Sequence, residues 1–231
     1  MPEFLTRPPW SGKSLLKAFG FSVLVLLSLG IVLALFGLGN GTPVQIAIVG
    51  GLAIYCILYL SIWLFVLRAA GIRLADVGFA RPSFGTVVRI FFLTLAVLVT
   101  EAIVMAFLVS LAGPAPTPSE QILGTNRFQL SAIEGVLLGL LIVVVGPFVE
   151  ELIFRGLLLR FAAARMPLFL AVVGTSALFA VAHGWTALFI VFFFLGVVLS
   201  AVAIRSQNLT QAVLLHGFHN LAGLALILAA A

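Results

Sequence analysis

What most limits the fold of this chain is the recurrence of apolar runs as long as a bilayer is thick. At about 1.5 Å of rise per residue, a hydrocarbon core of about 30 Å takes about 20 apolar residues in a helix. Such runs recur at Ala18 to Leu38, Val44 to Leu67, Val87 to Leu111, Ile133 to Phe148, Leu168 to Ala182, Leu188 to Ile204 and Gln211 to Leu228. The fourth is short, but it continues through Glu150 to Arg165 as a mixed polar and apolar segment, which predicts a bent or tilted helix. The fifth is short too and borders a break at Gly184. Only 8% of the residues are charged and 63% are hydrophobic, with a mean hydropathy of +1.32, whereas a soluble domain carries roughly 25% charged residues. The expected fold is therefore all-α: a polytopic transmembrane bundle of about seven spans, or eight helices counting a bent fourth.

Charge placement sets the expected topology. The first run exceeds the h-region of about 7 to 15 residues that marks a cleaved signal peptide, so it reads as a retained span. The net charge of +5 does not point to nucleic acid, because the basic residues lie beside spans. Arg7, Lys13 and Lys17 precede the first run, Arg68, Arg73 and Arg81 follow the second, and Arg155, Arg160, Arg165 and Arg205 flank later turns. The intervening loops, Gly39 to Pro43 and Gly113 to Ser131, carry only Glu120 and Arg127. By the positive-inside rule the N-terminus is cytoplasmic and, with seven spans, the C-terminus is outside; in a bacterium the membrane would be the inner one. The segment Arg68 to Phe84 mixes cationic and apolar side chains, which suits either a short interfacial segment or a plain connector. The proline-rich stretch from Pro114 cannot continue a helix and divides the chain. Residues 1–112 form a three-span region, 113–130 an external loop and 131–231 a four-span core expected to hold the chemistry. The single cysteine, Cys56, permits no intrachain disulfide or thiol cluster and reads as a packing residue.

Polar groups at membrane depth are costly unless satisfied, so they tend to face the bundle interior and to act. All three histidines, His183, His216 and His219, fall in the last fifty residues, within or at the ends of apolar segments. The strongest local signal is Gly146-Pro-Phe-Val-Glu150-Glu151-Leu-Ile-Phe-Arg155-Gly156. On a helix Glu151 and Arg155 stand four apart in the favoured order for an ion pair. Glu150 points about 100° away and is not neutralised by that pair. Taken alone, this run also fits a charge cluster that ends a span. Phe179 and His183 share a face at i and i+4. Glu150 lies 16 residues before Met166 and His183 lies 16 after Pro167, so an antiparallel hairpin turning there sets the two at nearly one height. In His216-Gly-Phe-His219-Asn220, His216 and Asn220 share a face. A turn at Arg205-Ser-Gln-Asn-Leu, with Thr210 as candidate cap, puts His216 within about two helical turns of the Glu150 level. The histidines and asparagine alternatively bind helices together. Glu101 and Glu134 could face a cavity, pair with a basic side chain or serve packing, and Gly50-Gly51 fits close helix packing.

Together, Glu150-Glu151-x-x-x-Arg155, Phe179-x-x-x-His183 and His216-x-x-x-Asn220, in that order, resemble the CAAX prenyl protease and bacteriocin-processing family of membrane proteins. The resemblance covers roughly the last hundred residues and implies an intramembrane endopeptidase of the metal-independent glutamate type. It implies that Glu150 with His183 activates a water and that His216 and Asn220 bind the oxyanion. Glu151, Arg155 and Phe179 would support them. It implies no cofactor, and a peptide or lipidated protein as partner beside the lipid bilayer itself. His219 falls where the family's motif leaves the residue free. A carboxylate in a low-dielectric cavity suits a general base, and histidine and asparagine donors suit developing negative charge. Two other readings remain at this stage. One is a metallopeptidase using His183, His216, His219 and Glu150, against which no His-Glu-x-x-His motif is present. The other is a non-enzymatic binding, assembly or toxin-immunity protein on the same scaffold. A transporter fits less well, because no repeated pair of broken helices is visible.

Overall fold

A computed structural model of the chain describes residues 8–35, 41–112, 130–184 and 188–230. The described residues are helical throughout, with no strand among them: α1 (Gly12–Leu35), α2 (Pro43–Ala70), the one-turn α3 (Leu74–Val77), α4 (Phe84–Ala112), α5 (Ala132–Ala163), α6 (Leu168–Ala182), α7 (Phe189–Ser206) and α8 (Leu209–Ala230). Six of them are long and apolar enough to cross a membrane. The fifth apolar run forms α6, a helix of only 15 residues, about 22 Å long at 1.5 Å per residue and so shorter than a hydrocarbon core. The polytopic helical bundle stands, with six full-length helices and one short apolar helix. The proline-rich stretch from Pro114, with Glu120 and Arg127, lies outside the described residues, as do Arg7 and part of the loop at Gly39.

Helix α5 is the axis of the fold. It runs unbroken for 32 residues, so the mixed polar segment from Glu150 continues the fourth apolar run. Its buried residues Val149, Leu152, Leu157 and Leu159 meet α2, α6 and α8. Two stretches, Leu141–Val145 and Leu152–Leu159, are π-helical and flank Gly146–Glu151. The first has a cause in sequence. Proline has no amide hydrogen to give, and Pro147 follows Gly146, whose own N–H reaches back five residues to the Leu141 carbonyl. The Ile142 carbonyl thereby loses both the donor of an α turn and that of a π turn. Such π turns concentrate at functional sites, where they re-aim side chains.

The segment between α2 and α4 is packed against the bundle. Val77 of α3 is fully buried beside Gly156 of α5, where an added Cβ would stand 2.8 Å from its Cγ1. Gly78, in the left-handed region at φ 111°, offers its carbonyl to the Leu209 amide at 2.8 Å. The segment therefore includes a one-turn helix packed under α5 and α8 at the arginine-rich end. Helix α8 is capped by Asn208, whose Oδ1 accepts the Thr210 amide at 3.0 Å. Thr210 is therefore not the cap. Its position inside the first turn makes it a donor of an amide, and the residue before the helix takes the capping role.

Candidate active site

The second π stretch and the Gly-Pro turn of α5 present Glu150 and Glu151 toward different neighbours. Glu151 is fully buried and meets Arg155 through Oε1 at 2.7 Å. Arg155 is 1% exposed and is tied to α7 by donating to the Gly196 carbonyl at 2.9 Å and approaching Ser200 Oγ at 3.5 Å. Its guanidinium also lies over the Phe179 ring, 4.5 Å from the centroid. Glu151 Oε1 accepts a second hydrogen bond, from His216 Nδ1 at 3.0 Å. A buried ion pair survives the loss of water best when its remaining donors and acceptors are engaged; these contacts engage Arg155 and the Oε1 of Glu151, while its Oε2 is buried without a hydrogen-bond partner. Glu151, Arg155 and Phe179 thus form one clamp joining α5, α6, α7 and α8.

Glu150 stands on the open side of the clamp. Its side chain keeps 15% of its exposure and that of His183 24%, while His216 keeps 1%. One carboxylate oxygen, Oε1, accepts a short hydrogen bond from the Tyr55 hydroxyl of α2. The other, Oε2, has no hydrogen-bond partner and faces His183 Nε2 at 3.5 Å and His216 Nε2 at 3.7 Å. The tautomers follow from the remaining contacts. A carbonyl can only accept, so His183 Nδ1 donates to the Phe179 carbonyl at 2.8 Å. Likewise His216 Nδ1 donates to the Glu151 carboxylate. Both neutral imidazoles then turn an Nε2 lone pair toward Glu150, an arrangement completed by a shared proton or a small hydrogen-bond donor between them. Aromatic rings hold the imidazoles. His183 is sandwiched between Phe179, at 4.4 Å between centroids, and Phe192 of α7, at 4.5 Å. His216 meets the edge of Phe179 at 5.6 Å.

Of the residues singled out from sequence, Glu150, Glu151, Arg155, Phe179, His183 and His216 therefore converge. Asn220 lies one turn beyond His216 and donates to the Ile142 carbonyl at 3.0 Å, the carbonyl that Pro147 orphans. His219 points elsewhere, to Glu101 of α4 at 2.7 Å, which gives Glu101 its partner. Glu134 is structural: it closes the capping box with Ser131 at the start of α5 and accepts from Gln45 at 2.9 Å. Gly51 packs so tightly that an added Cβ would lie 2.6 Å from Leu141, while Gly50 has no such neighbour. Cys56 is exposed on the outer surface of α2, so it is not a packing residue. Among the described residues no group of three or more His, Cys, Asp or Glu side chains is arranged to hold a metal ion.

Tyr55, Phe192, Gly196 and Ser200 were not singled out from sequence. A tyrosine or serine inside an apolar run reads as a packing or interfacial residue, and nothing local to Tyr55 marks a partner 95 positions away. Glycines whose small size lets helices approach gave the only signal. An added Cβ at Gly146 would lie 3.0 Å from the Tyr55 hydroxyl, and one at Gly196 the same distance from Ser176.

No curated protein and no solved structure matches the chain. Residues 132–222 match one family model, and all the converging side chains except Tyr55 lie inside that stretch. With six helices of spanning length, this makes the chain an integral, multi-pass membrane protein whose region 132–222 is similar to the type II CAAX prenyl endopeptidase Rce1-like family.

Proposed function

We propose that this chain is a metal-independent intramembrane endopeptidase that cleaves a membrane-associated or lipidated polypeptide, with Glu150 as its general base. The observation that carries the reading is the unpartnered Oε2 of Glu150 between two imidazole Nε2 atoms, beside a sealed Glu151–Arg155 pair. A water seated there would donate one hydrogen to Glu150 Oε2 and the other to His183 Nε2, leaving a lone pair for the scissile carbonyl. As the water oxygen bonds to the carbonyl carbon, its proton passes to Glu150. That proton then goes to the departing amine when the C–N bond breaks, which restores the carboxylate.

His216 and Asn220 would bind the oxyanion. The Nδ1 hydrogen of His216 is engaged by Glu151, so His216 would serve the oxyanion through Nε2 once that atom carries a hydrogen. Asn220 spends one amide hydrogen on Ile142 and keeps the second. Donors fixed in place before reaction are worth about 2.7 to 4 kcal/mol each in such sites. The arginine-rich end, by the positive-inside rule, would face the cytoplasm.

The test follows cleavage of prenylated and unprenylated peptides by the detergent-purified protein, by Glu150→Gln and by His183→Ala, each with and without a chelator. Cleavage by the wild type that survives chelation and disappears in both folded variants is the expected result. Equal cleavage by all three proteins would assign the activity to a contaminant. Loss on chelation with recovery on zinc would overturn the metal-independent mechanism, and absence of cleavage throughout would favour the binding or immunity reading.

A further inference from the structure

Helix α4 packs on α8 but barely on α7, and the gap between α4 and α7 is an open trough. Two adjoining cavities follow it and share Val197. One, of about 350 Å³, is wholly apolar at its surface and is walled by Val104, Ile190, Val191, Phe193 and Phe194, with Glu101 at its edge. The other, of about 510 Å³, is apolar along Ile90, Leu93, Val198 and Ala201, but its lip carries Arg89 and Arg205. Both arginines are exposed. Arg89 is oriented by the buried Gln211, to which its Nη2 donates at 3.1 Å. No carboxylate pairs with either arginine among the described residues.

Twelve residues of α4 separate Arg89 from Glu101, about 18 Å of helix, close to half of a hydrocarbon core about 30 Å thick. The trough thus reaches from head-group depth to the middle of the bilayer. It is charged only at the head-group end, since Glu101 at the other end is bound to His219. An amphiphile with an anionic head and one leaflet's length of chain matches it in both length and charge.

We propose that the α4–α7 trough is a binding site for an anionic phospholipid, its phosphate held by Arg89 and Arg205 and an acyl chain lying along Val197 toward Phe193 and Phe194. The site is separate from the Glu150 cluster and does not depend on the peptidase reading. The zwitterionic lipids of the same bilayer have the chain but not the net charge, so the arginines select among them.

The experiment measures lipid retained on the detergent-purified full chain by native mass spectrometry, with phosphatidylglycerol or phosphatidylcholine of identical acyl chains. Selective retention of phosphatidylglycerol at one per chain is expected. Arg205→Gln should weaken it about fivefold, matching the ~1 kcal/mol a basic side chain near an anionic leaflet is worth, and adding Arg89→Gln should weaken it about 25-fold. Ala201→Trp, which fills the trough and spares both arginines, should also expel the lipid. Equal retention of the two lipids, or retention unchanged in the arginine or Ala201→Trp variants, would overturn the site. Equal competition by soluble glycerol phosphate would assign the arginines to a free anion instead of a lipid.

Discussion

At the scale of single residues, the site depends on how one carboxylate is held. Tyr55 engages Glu150 Oε1, so the other oxygen is left to the imidazoles. Hydrogen bonds to charged groups are worth about 1.5 to 3 kcal/mol. Tyr55→Phe keeps the ring and its packing but strands a carboxylate oxygen, so a fall in kcat of about tenfold to 100-fold is expected together with a stability loss of about 1 to 3 kcal/mol. Steady-state cleavage beside a melting curve measures both, and unchanged kcat would remove Tyr55 from the mechanism. The buried clamp responds differently. Removing one partner of a sealed ion pair costs about 3 to 5 kcal/mol because the other charge is stranded. Arg155→Met should therefore lower the melting temperature sharply, and adding Glu151→Gln should recover part of the loss. If the double variant melts below the single one, the stranded charge is not the cause. Sequence spacing made the Glu151–Arg155 pair legible because i,i+4 partners lie on one helix. Tyr55 was not legible, since its partner is fixed only by the packing of α2 on α5.

At the scale of elements, α5 and α8 meet where proline has broken the ladder of α5. In a medium without water an unmade backbone hydrogen bond costs several kcal/mol, and Asn220 restores one by donating to Ile142. The same approach brings Gly217 so close that an added Cβ would stand 2.7 Å from the Val143 carbonyl oxygen, a backbone atom that cannot rotate away. Gly217→Ala should cost about 1 to 3 kcal/mol through overpacking. Gly223→Ala, on the same helix with open space around it, should be neutral or gain up to about 1 kcal/mol from helix propensity. Thermal unfolding of the two variants in one detergent makes the comparison, and equal effects would refute the close approach. Apolar run length revealed these helices and the continuity of α5. It also gave the 15 residues of α6, whose run from Leu168 to Ala182 is the helix observed. It could not reveal that the shared face of His216 and Asn220 serves two different partners, because run length does not record the neighbour across the interface.

At the scale of the whole molecule, the family match begins at residue 132, yet the cluster it encloses is completed from outside. Helix α2 supplies Tyr55 to Glu150, and α4 supplies Glu101 to His219. Gln45 of α2 reaches Glu134 at the start of α5. Helices α5 to α8 would lose all three contacts if made alone. His219 would then lie unpaired at membrane depth, where ionisable groups are costly, Glu134 would keep only Ser131, and Glu150 would lose its hydroxyl donor. Membrane helices commonly insert first and associate afterwards through packing and hydrogen bonds, so the two parts need not share one chain. Residues 130–231 expressed alone should give no cleavage, whereas co-expression with residues 1–112 should restore it, and Tyr55→Phe in the separate N-terminal piece should cut the restored rate as in the intact protein. Full activity from 130–231 alone would mean that the first three spanning helices only surround the site. Restoration that ignores Tyr55→Phe would mean they stabilise the fold without touching the chemistry, since a purely structural partner has no reason to transmit the loss of one hydroxyl.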